Sequence, residues 1–275
     1  MLFLLQKEKS DMDIDEEVLQ LKNILRGQKF TNQYSLMSID DFSSELKLPS
    51  NISPKEAIPV GTIDYVQKYL SSIFGINKMS PIEVPEELRL PQFLLRNYSI
   101  IDKDELLTKR GYWFVKYAGK LKQFSYTGLI DLILYEDDNK PKNSEPFLKQ
   151  GLYVFSEVKD ILSEYRVIVN RNEIKGIQFY DGDPTIMPTI EEINKIKEMV
   201  LRLSINSKNP LAYTLDIAII RANNDVGRDL MIIEMHPFAC VGTYGCVGSF
   251  LPDAYRNGFD WYVNQNFDLK KFSNF

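Results

Sequence analysis

"YTLDIAIIRANNDVGRDLMIIEMH", Tyr213 to His236, reads as two apolar strands around a polar turn. Each strand is interrupted by one carboxylate, Asp216 in the first and Glu234 in the second. The turn, Arg221 to Asp229, holds Asn-Asn-Asp and Gly227, residues that reverse an antiparallel hairpin. Symmetric pairing about it sets Ile220 opposite Leu230, and counting back along both strands sets Asp216 opposite Glu234. Like charges directly opposed destabilise a sheet. A buried carboxylate pair must share a proton, find cations or hold a metal. His236, the single histidine, follows Glu234 by two positions and so leaves the same strand face. The alternative makes Asp216 a strand-edge residue and His236 a satisfied core or loop histidine, which leaves the opposed charges unexplained. Two oxygen donors and one imidazole suit magnesium or manganese better than zinc.

The rest of the chain narrows the chemistry. At 275 residues it is long for one core and comfortable for two or three subdomains. Its hydrophobic and charged contents are those of a globular protein, and a net charge of −5 argues against coating nucleic acid. The apolar "MLFLLQ" is too short for a signal-peptide core, and no 18-residue apolar run exists, so no membrane partner is expected. Cys240 and Cys246 share one glycine-rich loop; with a single histidine to help, they make no zinc site and read as free thiols of a cytoplasmic protein. A Ser-His-Asp or Cys-His site would need His236, and no G-x-S-x-G elbow is present. Carboxylates, lysines and arginines remain, a set suited to phosphates and metal ions.

The periodicities predict a mixed order of elements. "DIDEEVLQLKNILRGQ" is a helix with Asp15 as N-cap and Gly27 as stop. "AIPVGTIDYVQKYLSSIFG" is a strand, a turn and an amphipathic helix ended by Gly75. A short helix capped by Asp102 precedes the strand "YWFVKY", and "TGLIDLILYEDD" holds another strand before the polar loop "EDDNKPKNSEP". "GLYVFSEV", "EYRVIVN" and "EIKGIQFYDGD" are strands. "TIEEINKIKEMVLRLS" is a helix with an apolar face at Ile190, Ile193, Ile196, Met199, Val200 and Leu203. The aromatic tail packs as a terminal element. Strands with late antiparallel hairpins and intervening helices imply layered α+β subdomains.

"KRGYWFVKYAGKLKQFSYTG" carries Lys109, Arg110, Lys116, Lys120 and Lys122 with no acidic residue between them. Lys116 is set in an aromatic-aliphatic strand, an uncomfortable place for a bare ammonium, and the small "AGK" loop after it suits phosphate oxygens. A solvated edge would explain Lys120 and Lys122 equally well. No G-x-x-x-x-G-K-[ST] loop exists, and "GTYGCVG" does not space its glycines as a dinucleotide fingerprint does. In "SEYRVIV", Glu164 and Arg166 share a face by strand alternation. Arg166 is either a core partner of Glu164 or a stabiliser of charge on a transferring phosphoryl group.

Taken in order, the Lys116 strand, "KLKQFSYTG", "SEVKDILSEYRVIVNRNEIKGIQFYDGD", Asp216 and "IIEMHPFACVGTYG" resemble the ATP-grasp superfamily. The likeness is to the divergent clade that includes the eukaryotic translation-initiation-factor assembly protein. "IPVGTIDYV" resembles the pre-ATP-grasp segment of such proteins. The resemblance implies an α+β ATP-grasp fold, two subdomains (96–158 and 159–275) clasping ATP after a small α/β domain (1–95). It implies that Lys116 holds the α- and β-phosphates, and that Lys120, Lys122, Thr127 and Gly128 belong to a phosphate-covering loop. Glu157, Val158 and Lys159 fall at the hinge near adenine and ribose, with Lys175 a second phosphate lysine. Arg166 faces the γ-phosphate or the intermediate, while Asp216 and Glu234 bind Mg2+ or Mn2+. The family's E-x-N motif reads Glu234-Met235-His236 here, so His236 stands where an amide oxygen is usual.

The implied activity is an ATP-dependent carboxylate–amine ligase that works through an acyl phosphate, its partners a carboxylate and an amine on an amino acid, peptide or protein. An ATP-binding assembly factor that clamps a protein partner without ligation is the main alternative. "KYAG" also resembles the lysine motif of covalent nucleotidyltransferases, with alanine where an acidic or polar residue is usual; that reading predicts an AMP adduct on Lys116.

Overall fold

The computed structural model describes residues 1–7, 16–27, 33–42, 48–79, 82–118, 125–129, 149–222 and 227–272, with side chains to residue 265. Asp15, the polar loop at 136–146 and the tip of the last hairpin at 223–226 lie outside them.

The first sheet is parallel and built from β1 (Leu2–Gln6), β2 (Gln33–Met37) and β3 (Ala57–Val60), in the order β2-β1-β3. "MLFLLQ" thus becomes a central strand. Leu2 to Leu5 are all buried, which is why the run shows no alternation: a parallel strand is covered on both faces. Helix α1 (Glu16–Gly27) adds Val18, Leu21 and Leu25 to this core, one stripe at helical spacing. Helix α2 (Ile63–Phe74) starts where Thr62 accepts the Tyr65 N–H and stops at Gly75, whose φ of +66° closes the helix as expected.

The second sheet is antiparallel. It contains β4 (Tyr98–Asp102), β5 (Tyr112–Tyr117), β6 (Ser125–Leu129) and β7 (Leu152–Ser156), ordered β4-β7-β5-β6. The short helices α3 (Pro91–Leu94) and α4 (Lys103–Leu106) flank β4, and Asp102 caps α4 by accepting the Glu105 N–H at 2.8 Å. Strands β2 and β4 were not expected from the sequence; both are short and only half-buried, so they lack an apolar run.

The third sheet contains β8 (Ile161–Asn170), β9 (Glu173–Gly182), β10 (Ala212–Arg221) and β11 (Arg228–Pro237), ordered β11-β10-β8-β9. Helix α5 (Ile190–Ser204) covers one face through Ile196, Met199, Val200 and Leu203. Ile190, expected on that face, is 75% exposed. It lies seven residues before Lys197 and eleven before Leu201, which puts it on their outward stripe. Helix α6 (Leu251–Phe272) returns to the first sheet, where Leu251, Ala254, Tyr255, Phe259, Tyr262 and Val263 join its core.

The expected β10–β11 register is half right. Ile220 faces Asp229 and Ile219 faces Leu230, one residue away from the symmetric pairing, yet Asp216 does face Glu234. The two are reconciled by a bulge between Asp216 and Ile217, which leaves Ile233 as an extra residue on β11. The bulge also changes which face the strand shows. Leu230 and Ile232 point into the α5 core, and Met231 points to the other side with Ala218 and Ile220. Strict alternation would have carried Glu234 and His236 into the α5 core.

Candidate active site

Because of the bulge, Glu234 and His236 open onto a cavity of about 650 Å³ formed between the second and third sheets. Lys116 enters it from β5, Thr127 from β6, Glu157, Val158 and Lys159 from the crossing after β7, and Glu164 and Arg166 from β8. Gly128 and Lys175 do not line it. Lys175 instead pairs with Glu173 at 2.5 Å on β9, where it is the extra residue at a shift in the β8–β9 register. Lys120 and Lys122 lie outside the described residues.

Asp216 sits behind the cavity wall, 2% exposed, and is held by Arg166 in a two-pronged pair: Nε donates to Oδ1 at 2.8 Å and Nη2 to Oδ2 at 2.7 Å. A planar guanidinium suits this fork, and lysine would not. The same guanidinium lies against the rings of Tyr180 and Tyr244, 5.1 and 5.0 Å from their centres, which also pack edge-on against each other at 4.9 Å, and it donates to the Gly242 carbonyl at 3.2 Å. Arg166 is therefore the partner of Asp216, across the strand pair, and not of its neighbour Glu164. Burial, with Asp181, Asp216 and Glu234 nearby, pushes the Glu164 carboxyl up to about 7 against the pull of Arg166.

Glu234 accepts from Lys116 Nζ on one oxygen and from His236 Nε2 on the other, the latter at 2.8 Å. Burial opposes its charge, but the His236 hydrogen bond and the Lys116 ammonium outweigh it and hold the carboxyl well below the usual range. Lys116 is also bound to Glu83, Nζ to Oε2 at 3.1 Å. Burial would lower the Lys116 pKa; the charges of Glu234 and Glu83 more than reverse that. Just after β7, Glu157 accepts from Lys159 at 2.7 Å and from the Asn97 backbone at 3.1 Å.

Two charged cavity residues have no counterpart in the sequence reading. Arg96 donates from Nη1 to the Ile232 carbonyl at 2.8 Å and from Nη2 to the Ile233 carbonyl at 3.1 Å, clamping the bulge itself. Burial brings its pKa down to about 10, so it keeps its charge at neutral pH. Glu83 is the other. A glutamate bracketed by apolar neighbours in "PIEVP" was a faint signal; Arg96 had none, since its partners are carbonyls set by a bulge.

Asp216, Glu234 and His236 each offer a ligand atom, and these atoms lie within 4.8 Å of one another. Two carboxylates and an imidazole are a donor set that fits a hard divalent cation. Carboxylate oxygens retain lone pairs beyond the hydrogen bonds they accept here.

Residues 93–250 match the model of an ATP-grasp domain family, the second family of its clade, and the chain belongs to that family. Among solved structures, it is similar to a RimK domain ATP-grasp protein from Sphaerobacter thermophilus. That likeness has 11% identity and a TM-score of 0.51, and covers 95% of this chain and 98% of that one. It is also similar to D-alanyl-alanine synthetase A from Vibrio cholerae, with 12% identity, a TM-score of 0.50, and 96% and 97% coverage. At such identities the likeness speaks for the fold. No curated protein matches the sequence. Among the described residues, no helix is long and apolar enough to cross a membrane.

Proposed function

We propose that the protein is an ATP-dependent carboxylate–amine ligase. The observation that carries this reading is the pairing of two cations, Lys116 and Arg166, with two acids, Glu234 in one cavity of an ATP-grasp fold and Asp216 directly behind its wall. In this reading residues 96–158 and 159–275 are the halves of the clasp, and residues 1–95 precede them. Kinship with the translation-initiation-factor assembly clade rests on motif order alone.

Lys116 holds nucleotide phosphates, and Thr127 and Gly128, with Lys120 and Lys122, belong to the segment that covers them. Glu157, Val158 and Lys159 border the base and ribose. Lys175 has no part unless β9 turns. Asp216, Glu234 and His236 hold Mg2+ or Mn2+, which when bound offsets charge on the transferring phosphoryl group. Arg166, fixed by Asp216 and the two tyrosines, orients the γ-phosphoryl group toward a substrate carboxylate. The carboxylate oxygen takes the phosphoryl group to give an acyl phosphate and ADP. An amine then displaces inorganic phosphate, forming the amide. Catalysis is positioning and charge neutralisation, and needs no nucleophilic side chain.

The test is calorimetric titration of ATP with and without magnesium on the wild type and Glu234→Ala. Metal-dependent binding lost in the variant supports the reading; a folded wild type that binds no ATP would overturn it. The imidazole at His236 favours one second reading, an assembly factor that clamps a protein partner without ligation. ADP release coupled to an amide product separates the two.

A further inference from the structure

Glu83 reaches the site from outside the matched domain, which begins at residue 93. It is 4% exposed, lines the cavity, and places one oxygen on Lys116 while the other, Oε1, has no hydrogen-bond partner among the described residues. A buried carboxylate oxygen left unmatched is destabilising, so its presence calls for a reason. Its backbone is also unfavourable: φ is +59°, a left-handed conformation that glutamate seldom adopts. The conformation is held by an isolated antiparallel bridge in which the Glu83 carbonyl accepts the Met235 N–H at 2.8 Å. Met235 lies between Glu234 and His236. The short strap around Glu83 is thus pinned to the acid-bearing strand, and the pin delivers a carboxylate to Lys116.

Lys116 therefore lies between two acids. Glu234 belongs to the cluster that fits a metal ion; an oxygen given to a cation no longer serves an ammonium at full charge. Glu83 is not in that cluster. It is the carboxylate left to Lys116 when Glu234 is engaged, much as a lysine–glutamate ion pair must be in place for a kinase lysine to meet phosphates.

We infer that Glu83 is a positioning residue for the nucleotide phosphates, acting through Lys116 as its standing counter-ion. The inference rests on the reading of the cavity as a metal–nucleotide site.

The experiment is a double-mutant cycle on the full chain, with Glu83→Gln, Lys116→Met and the pair, titrated calorimetrically with ATP and magnesium and separately with adenosine. Glu83→Gln is expected to weaken ATP binding roughly 10- to 100-fold, by analogy with the loss when an outer-shell partner of a metal-ligating side chain is removed. Adenosine affinity stays unchanged, since a merely structural defect would lower both. In the Lys116→Met background, adding Glu83→Gln costs nothing further. Wild-type or tighter ATP binding by Glu83→Gln overturns the inference, as does an equal loss in the Lys116→Met background. Failure of the wild type to bind ATP refutes the nucleotide reading instead. If Glu83→Gln shows no melting transition, Glu83→Asn, better suited to a left-handed backbone, is read by the same outcomes.

Discussion

Replacing Arg96 with methionine should unfasten the bulge that aims Glu234 and His236. The side chain is similar in length and apolar, so packing is largely conserved, and what is removed is the fork onto the Ile232 and Ile233 carbonyls. Hydrogen bonds to a charged group contribute about 1.5–3 kcal/mol each, and two buried carbonyls lose their donor. Relief from burying the guanidinium offsets part of this, so a net loss of about 3 kcal/mol is expected. For a chain of this size that corresponds to a fall in Tm of roughly 6–12 °C, at about 2–4 °C per kcal/mol. Thermal unfolding measures that half. The second half is functional: with the bulge released, β11 reverts toward strict alternation, which turns the acid and imidazole toward the α5 core. ATP titration with magnesium, done well below the variant's Tm, should show metal-dependent binding lost. A variant that loses the stability but keeps wild-type affinity per folded molecule would refute the link between Arg96 and the aim of Glu234.

Removing Arg166 as alanine leaves Asp216 buried and unpaired, which should cost about 3–5 kcal/mol in urea unfolding. The joint replacement Arg166→Met with Asp216→Asn should cost less than Arg166→Ala alone. Glu164 has a folded-state pKa raised to about 7, so the unfolded chain ionises it first. Its effect on stability is absent below about pH 4.5, grows more unfavourable as pH rises to 7 and is constant above. Glu164→Gln should therefore raise Tm more at pH 8 than at pH 4.5; an equal rise at both would contradict the assignment. Gly258→Ala places a Cβ 2.0 Å from the Phe238 carbonyl oxygen, backbone that cannot swing aside. A loss of about 1–3 kcal/mol, or more, is expected in thermal or urea unfolding.

Much of the fold could be read because strand and helix periods are local. The α5 face from Ile193 to Leu203, the helix stop at Gly75 and the cap at Asp102 follow from neighbours within a few residues. The site was legible where it depends on side-chain type and strand pairing, as at Asp216 and Glu234. It was illegible where backbone departs from repeat. The Asp216–Glu234 pairing was reached through a symmetric register that the hairpin does not have, and Ile233 restores it. Glu83 and Arg96 act through contacts 33 or more positions away along the chain, and neither carries a motif. Arg166 was seen, but its partner proved to lie across the sheet and not beside it.

Helix α6 has a bearing on how the chain is made. Phe259 packs against Tyr69 and Phe74, with ring centres 6.1 and 6.0 Å apart, and Tyr255 and Tyr262 join the core that encloses Leu2 to Leu5. Strand β1 therefore completes its packing only once α6, made after all three sheets, is present. Contacts this distant in sequence form slowly. Until α6 is released, the nascent N-terminal sheet presents Phe3, Tyr69 and their neighbours to whatever meets it, which makes the first sheet the segment that chaperones would hold longest.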